Sequence, residues 1–155
     1  MDLSESETRE KIIDPWLKSE GWKDEYLKSE VNSLKSDFKS KKYELREGEG
    51  KEEGRFIDYL LLDQHRTPIA LIEAKRFSLD AEKGSIQATT YQKDIESQTG
   101  IAIPIFLTNG KKWYIKEKGY PTREVVAWIL PFSASNENLF DSIKATGFLS
   151  WSSNK

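Results

Sequence analysis

The sequence predicts an α/β or α+β fold in which helices flank a mixed β-sheet. Three observations carry this. Residues 55 to 77, RFIDYLLLDQHRTPIALIEAKRF, hold two apolar runs joined by a short polar segment, which marks two buried strands. A helical apolar pattern precedes them and a polar helical stretch follows. A further apolar run, IAIPIFLT, then ends on Asn109-Gly110 and an alternating KWYIK. The order helix, strands, helix, strands builds helix layers on a sheet. With 155 residues and no internal repeat, the chain is expected to form one domain over 1–155.

Ser4 or Ser6 is placed to cap the first helix, with acidic residues in its first turn. Ile12, Ile13, Trp16 and Leu17 form its apolar face, and Gly21 is the stop. Pro15 conflicts with that pattern, because it removes a donor and tends to kink a helix. Residues 23 to 38 mix charges with Tyr26, Leu27, Val31 and Leu34, and a short helix is expected there. KKYELR, 41 to 46, alternates as an edge strand, and GEGKEEG, 48 to 54, is a charged, glycine-rich loop. Between the two buried strands, Asp63 to Thr67 has hairpin length and Pro68 marks the return. Residues 80 to 98 read as an exposed helix that Gly84 either starts or breaks. Ile101 to Thr108 is a buried strand in which Pro104 points to an edge or a bulge. Asn109-Gly110 is a two-residue hairpin signal, with Lys112 to Lys116 returning. Val125 to Leu130 is expected to add a strand. Asn138 to Ala145 would be a short helix within a C-terminal helix and tail, 131–155.

Composition narrows the function. The net charge is −2, which excludes a polycationic tail for nucleic acid or membrane surfaces. Contact with a polyanion must then come through a local patch or a metal. Five Trp, six Tyr and seven Phe argue for a packed core despite a charged fraction of 32%. The absence of cysteine excludes disulfides and thiolate metal sites and fits a reducing compartment. No apolar run approaches the ~18–20 residues that span a bilayer, and the acidic start MDLSESETREK is unlike a signal peptide. A cytoplasmic protein with no membrane partner is expected.

The chemistry lies in the two apolar runs. Glu73 and Lys75 are two apart on one strand and so share a face, while Ala74 points away. With Asp63 to Thr67 as the connection, Asp58 falls opposite Ile72 or Glu73, and a one-residue register shift decides whether it joins their face. The shared face is the expectation, because a lone carboxylate buried among aliphatics costs several kcal/mol. Two adjacent carboxylates repel unless a proton or cation sits between them. A hard divalent cation solves this: Mg²⁺ takes one or two carboxylates and completes its shell with water and phosphate. Lys75 is placed to orient an attacking water or take its proton. Carboxylates, metal and lysine together suit hydrolysis of a phosphodiester. The plainer alternative is a solvated ion pair at a sheet edge. Gln87 and Tyr91, four apart on the following helix, share a face over the same end of the sheet. Glu7 and Glu10, one turn apart near the N-terminus, could add a carboxylate or simply serve the first helical turn.

In that order, SETREKIIDPWLKSEGW, RFIDYLLL, IALIEAK, QATTY and IPIFLTNGKKWY resemble the N-terminal nuclease domain of the R (motor) subunit of type I restriction enzymes. That domain belongs to the RecB-like branch of the PD-(D/E)xK superfamily, and the resemblance covers roughly residues 6 to 130. It implies a restriction-endonuclease-like fold and a Mg²⁺-dependent DNA endonuclease, with Mn²⁺ able to substitute. It implies Asp58 and Glu73 as metal ligands, joined by the carbonyl of Ala74, and Lys75 as the catalytic lysine. Gln87 and Tyr91 match the family's Q-x3-Y motif, which supports the active site and DNA contact, and Glu7 matches the acidic residue of its first helix. The position before Asp58 is Ile57 where the motif has proline. Implied partners are double-stranded DNA and the methylation and specificity subunits of a restriction complex.

R subunits also carry an ATP-driven translocase. Here Gly50-Lys51 is followed by Glu52, and Leu45 stands where a phosphate loop needs its first glycine, so no ATP site of that kind is expected. The chain is then either a fragment or a stand-alone nuclease domain. Two other functions fit the same core: a catalytically silent DNA-binding or subunit-scaffolding domain, and a repair or mobile-element nuclease. His65 lies in the expected hairpin turn without a Ser or Cys partner, and the lysines of KSKK (39–42) and Lys111–Lys118 read as solvated.

Overall fold

The computed structural model describes residues 2–46 and 55–125. Among them a mixed six-stranded sheet runs in chain order, β1 (Leu27–Asn32), β2 (Phe56–Leu62), β3 (Pro68–Ala74), β4 (Ile105–Thr108), β5 (Trp113–Lys116) and β6 (Arg123–Glu124), in an α+β architecture as expected. Only β3 and β4 are parallel; every other neighbouring pair is antiparallel.

The first helix is capped by Ser4. Its hydroxyl accepts from Glu7 N–H while the Glu7 carboxylate accepts from Ser4 N–H, a reciprocal capping box. From α1 (Glu5–Thr8) the chain passes through a π-helical turn, Arg9–Ile13, into α2 (Asp14–Ser19). The widened turn resolves the conflict posed by Pro15. Asp14 N–H reaches back to Arg9 C=O, and Pro15 then stands in the first turn of α2, where its missing donor costs little. Ile13 and Leu17 are buried and Gly21 turns the chain at φ 98°.

Residues 23 to 38 correct the expectation of a helix. A 3₁₀ turn, Asp24–Tyr26, leads into β1 (Leu27–Asn32), which pairs antiparallel with β2. The apolar spacing of this stretch is short and ambiguous, and the ladder offered by β2 overrides it. Leu34, counted as part of a helical face, is exposed in the turn that Asn32 organises by accepting from Leu34 and Lys35 N–H. KKYELR runs beside β1 through a single bridge, Val31 to Leu45, and a second bridge, Asp37 to Lys42, closes the turn leading into it; no full strand forms. The glycine-rich loop 48–54 lies outside the described residues.

The two apolar runs form β2 (Phe56–Leu62) and β3 (Pro68–Ala74). Asp63 closes their hairpin, its carboxylate accepting from His65 and Thr67 N–H. Side chains alternate across the sheet. Tyr59, Leu61, Ala70, Ile72 and Ala74 pack with Ile13, Leu17 and Trp22 of the N-terminal segment. Leu60, Leu62 and Leu71 pack on the other face with Ala88, Tyr91 and Ile95 of α3 (Ser85–Thr99). That helix is therefore less exposed than its polar sequence predicts: Gln92 is buried too, donating to Ile103 C=O at 2.8 Å. Gly84 starts α3, at the end of a 3₁₀ turn, Ala81–Gly84.

Pro104 corrects a second expectation. It precedes β4 (Ile105–Thr108), its carbonyl accepts from Leu71 N–H, and β4 is central, between β3 and β5. The hairpin at Asn109-Gly110 exists but is not a two-residue one. Thr108 pairs with Trp113, so Asn109 to Lys112 form a four-residue loop, gathered by Asn109 Oδ1 on the N–H groups of Lys111 and Lys112. Gly110 holds φ 90° there, where a side chain would be strained. β5 (Trp113–Lys116) pairs with a two-residue β6 (Arg123–Glu124), and Val125 N–H donates to Trp113 C=O. The rest of the strand expected at Val125 to Leu130, and the helix at Asn138 to Ala145, lie outside the described residues. No helix among the described residues is long and apolar enough to cross a membrane.

Candidate active site

The register of β2 on β3 pairs Tyr59 with Ile72 and Leu60 with Leu71. Continued one step, it sets Asp58 directly across from Glu73, on the face toward α3. The question of register left open by the sequence is thus answered in favour of the shared face. Asp58 is 8% exposed and Glu73 3%. Asp58 Oδ2 accepts from Ala74 N–H at 2.8 Å, which fixes its orientation. The amide of Ala74 thus takes part in the site by holding Asp58. Lys75 follows at the end of β3, half-buried, its N–H on Thr108 C=O.

A cleft of about 160 Å³ opens over the pair, lined by Glu5, Arg9, Glu30, Arg46, Phe56, Asp58, Glu73, Gln87 and Tyr91. Gln87 and Tyr91 meet the carboxylates from α3, as their four-residue spacing predicts. Glu7 does not: it is spent on the capping box and an ion pair with Lys11, and Glu5, one half-turn away, lines the cleft instead. Arg9, one turn after Glu5, approaches Asp58 Oδ1 at 3.5 Å and also pairs with Glu30. Sequence reasoning missed Arg9, Glu30 and Arg46. The one local signal was the spacing of four between Glu5 and Arg9; Glu30 and Arg46 arrive by tertiary contact alone.

Gly84 is a further residue that the sequence left ambiguous. A Cβ there would come to 2.7 Å of Glu73 Cγ and 3.2 Å of Lys75 Cε. Its φ is −83°, a conformation any residue adopts, so the glycine is needed for space. The start of α3 thus presses on Glu73 and Lys75 together. Gly84→Ala is expected to lower divalent-metal affinity about tenfold, the usual scale for disturbing the support of a ligand. It should lower the melting temperature as well, since overpacking costs about 1–3 kcal/mol. Combined with Glu73→Ala, the same change should cost much less, because the tightest contact, 2.7 Å to Glu73 Cγ, is removed. Calorimetric metal titration and thermal melts of the four proteins check this.

The pair is short of positive charge. Burial pushes both carboxyls above the ordinary range. For Asp58, Arg9 and the Ala74 amide pull the other way; for Glu73, the neighbouring Asp58 adds to the rise and Lys75 opposes it. Burial and the Glu73 charge likewise raise the Tyr91 hydroxyl. Glu73 Oε1 is buried without a hydrogen-bond partner, an uncommon state that calls for a ligand. These residues fit a divalent cation. Among the described residues no third carboxylate or imidazole gathers with the two closely enough to enclose one, so water and substrate oxygens would complete its shell.

The shift of Glu73 has a consequence for stability. A carboxyl held above its ordinary 4.5 binds more protons in the folded than in the unfolded chain. Stability therefore falls as pH rises from about 4.5 upward. Without metal, Glu73→Gln is expected to flatten most of that slope and to melt higher than the wild type at pH 8, with no advantage below pH 4. Melts across pH in EDTA measure it.

No family model matches the chain, and no curated protein matches it. Among solved structures, the fold resembles a fragment structure named as an HsdR subunit of a type I restriction enzyme from Vibrio vulnificus YJ016. The TM-score is 0.58 at 23% identity, covering 95% of this chain. This chain spans 26% of the length of that one. The likeness is one of fold, and it agrees with a restriction-endonuclease-like domain.

Proposed function

We propose that this chain is a metal-dependent nuclease domain that hydrolyses phosphodiester bonds in DNA, of the kind carried by R subunits of type I restriction enzymes. One observation carries the reading: Asp58 and Glu73 are buried face to face on paired strands, with Glu73 Oε1 unpartnered. A domain that only scaffolds gains nothing from that arrangement, which stabilises the fold only when a cation or proton is added.

In this reading Asp58 and Glu73 hold Mg²⁺ or Mn²⁺, with the Ala74 carbonyl as a further oxygen ligand. When bound, the cation neutralises phosphate charge and acidifies water. The Ala74 amide keeps Asp58 aimed. Lys75, beside Gly84 and near Glu73, donates to the attacking water and orients it. Gln87 and Tyr91 close the α3 side of the cleft and contact the DNA backbone. Methylation and specificity subunits would supply target selection.

Calorimetry with Mn²⁺, followed by plasmid nicking with and without EDTA, tests the proposal. Saturable uptake lost in Asp58→Asn, together with EDTA-sensitive nicking, is expected. No uptake by the folded wild type would reject the nuclease reading in favour of a silent domain.

A further inference from the structure

The mechanism leaves the acidic mouth of the cleft unexplained. Glu5, Glu30, Asp58 and Glu73 line it, and a polyanion entering must meet cationic donors. Of the residues lining the cleft, Arg9 and Arg46 carry positive charge.

Their settings differ. Arg46 is fixed by a 2.8 Å bond from Nε to Glu30 Oε2 and by stacking 4.2 Å over the Phe56 ring. Arg9 makes one tight ion pair and two longer contacts. Its guanidinium pairs closely with Glu30 Oε1 and lies 4.9 Å over the Tyr59 ring, whose hydroxyl donates to Asp14. Its contacts to Asp58, 3.5 Å to Oδ1 and 3.4 Å to the carbonyl, are longer than an N–H···O bond usually is. They can lengthen once a cation offsets the Asp58 charge, whereas the close Glu30 pair and the Tyr59 stacking can stay in place.

Glu30 is built for this task. The ladder pairs Ser29 with Tyr59 and Val31 with Ile57, which places Glu30 across from Asp58. Yet its φ is 58°, left-handed backbone inside a strand, at a residue with a full side chain. Such backbone persists where the surroundings over-determine it, commonly at functional sites. Its carboxylate grips both arginines at once.

We propose that Arg9 is a phosphate-binding residue of the cleft, anchored at its mouth by Glu30, and that it exchanges Asp58 for a DNA backbone phosphate once a divalent cation takes the Asp58 charge. The inference rests on the metal-dependent reading of the cleft. Guanidinium suits the role, because its planar fork of N–H donors matches two phosphate oxygens. In the metal-free cleft the same arginine serves as counter-ion to Asp58, so it competes with the cation.

That competition gives a signature of opposite signs. In Arg9→Met, Mn²⁺ affinity measured by electron paramagnetic resonance should equal or exceed that of the wild type by a few-fold. Binding of a short DNA duplex, followed by fluorescence anisotropy in saturating Ca²⁺, should weaken tenfold or more. A residue with a merely structural role would lose both together, and that result overturns the proposal, as does unchanged duplex binding. If Arg9→Met does not melt cooperatively, Arg9→Lys carries the test. It keeps the charge but not the fork, so Mn²⁺ affinity should stay within a few-fold while duplex binding falls tenfold. A wild type that takes up no Mn²⁺ removes the metal reading and this inference together; metal uptake with unaltered duplex binding in the variants removes only the inference.

Discussion

Lys75→Arg is expected to cost about a hundredfold or more in DNA cleavage, in the range that positioned proton-transfer groups contribute, while metal affinity and melting temperature stay close to the wild type. Lys75 follows β3 directly, its side chain beside Gly84 and near Glu73, whose proton affinity its charge opposes. A lysine kept only to balance the carboxylates would tolerate arginine, which preserves the charge. A lysine that orients or accepts a proton from water would not, because guanidinium is planar, bulkier and does not release a proton near neutral pH. The space under Gly84 sharpens the contrast: with Lys75 Cε only 3.2 Å from where a Cβ would stand, the bulkier head must lie elsewhere. Single-turnover cleavage, Mn²⁺ titration and melting of the same preparations decide it. Cleavage within a few-fold of the wild type would reduce Lys75 to a counter-charge.

The second large effect is expected at Asp58. Asp58→Asn should abolish Mn²⁺ binding and reduce nicking to background, at a melting temperature level with or above the wild type. The amide keeps an oxygen for Ala74 N–H while removing a buried negative charge that faces Glu73. Asp58→Ala should be equally inactive but less stable, since it strands the buried Ala74 amide, a loss of about 1–3 kcal/mol. From sequence alone the alanine variant is expected to stay level or gain, because only the relief of repulsion is visible there. The hydrogen bond to Ala74 reverses that sign. Nicking that survives in Asp58→Asn would remove Asp58 from the chemistry.

The parts of the fold readable in the sequence are those whose signals are local. Ser4 and Glu7 announce the capping box, the runs 56–62 and 68–74 announce paired strands, and Asp63 to Thr67 the turn between them. Gln87 and Tyr91 share a helix face by spacing alone. What failed were segments decided by a distant partner. The stretch containing β1 has no periodicity strong enough to resist the ladder of β2, and became a strand. Asn109-Gly110 carries a two-residue turn signal, yet the pairing of Thr108 with Trp113 and the Asn109 side chain impose a longer loop. Polar residues of α3 such as Gln92 find buried partners that composition does not display.

The same division runs through the site. Sequence by itself determined that Glu73 and Lys75 share a face, because a strand alternates with a period of two, and that Asp58 stands close to them, because the hairpin is short. Only the tertiary structure decided the register that opposes Asp58 to Glu73, since a slip by one residue leaves the sequence unchanged and turns the carboxylate to the other face. It also decided that Glu5 and not Glu7 enters the cleft, that Gly84 presses on Glu73 and Lys75, and that Arg9 reaches Asp58 across 49 residues. Those are contacts between elements remote in the chain, and they follow from packing, which no local pattern encodes.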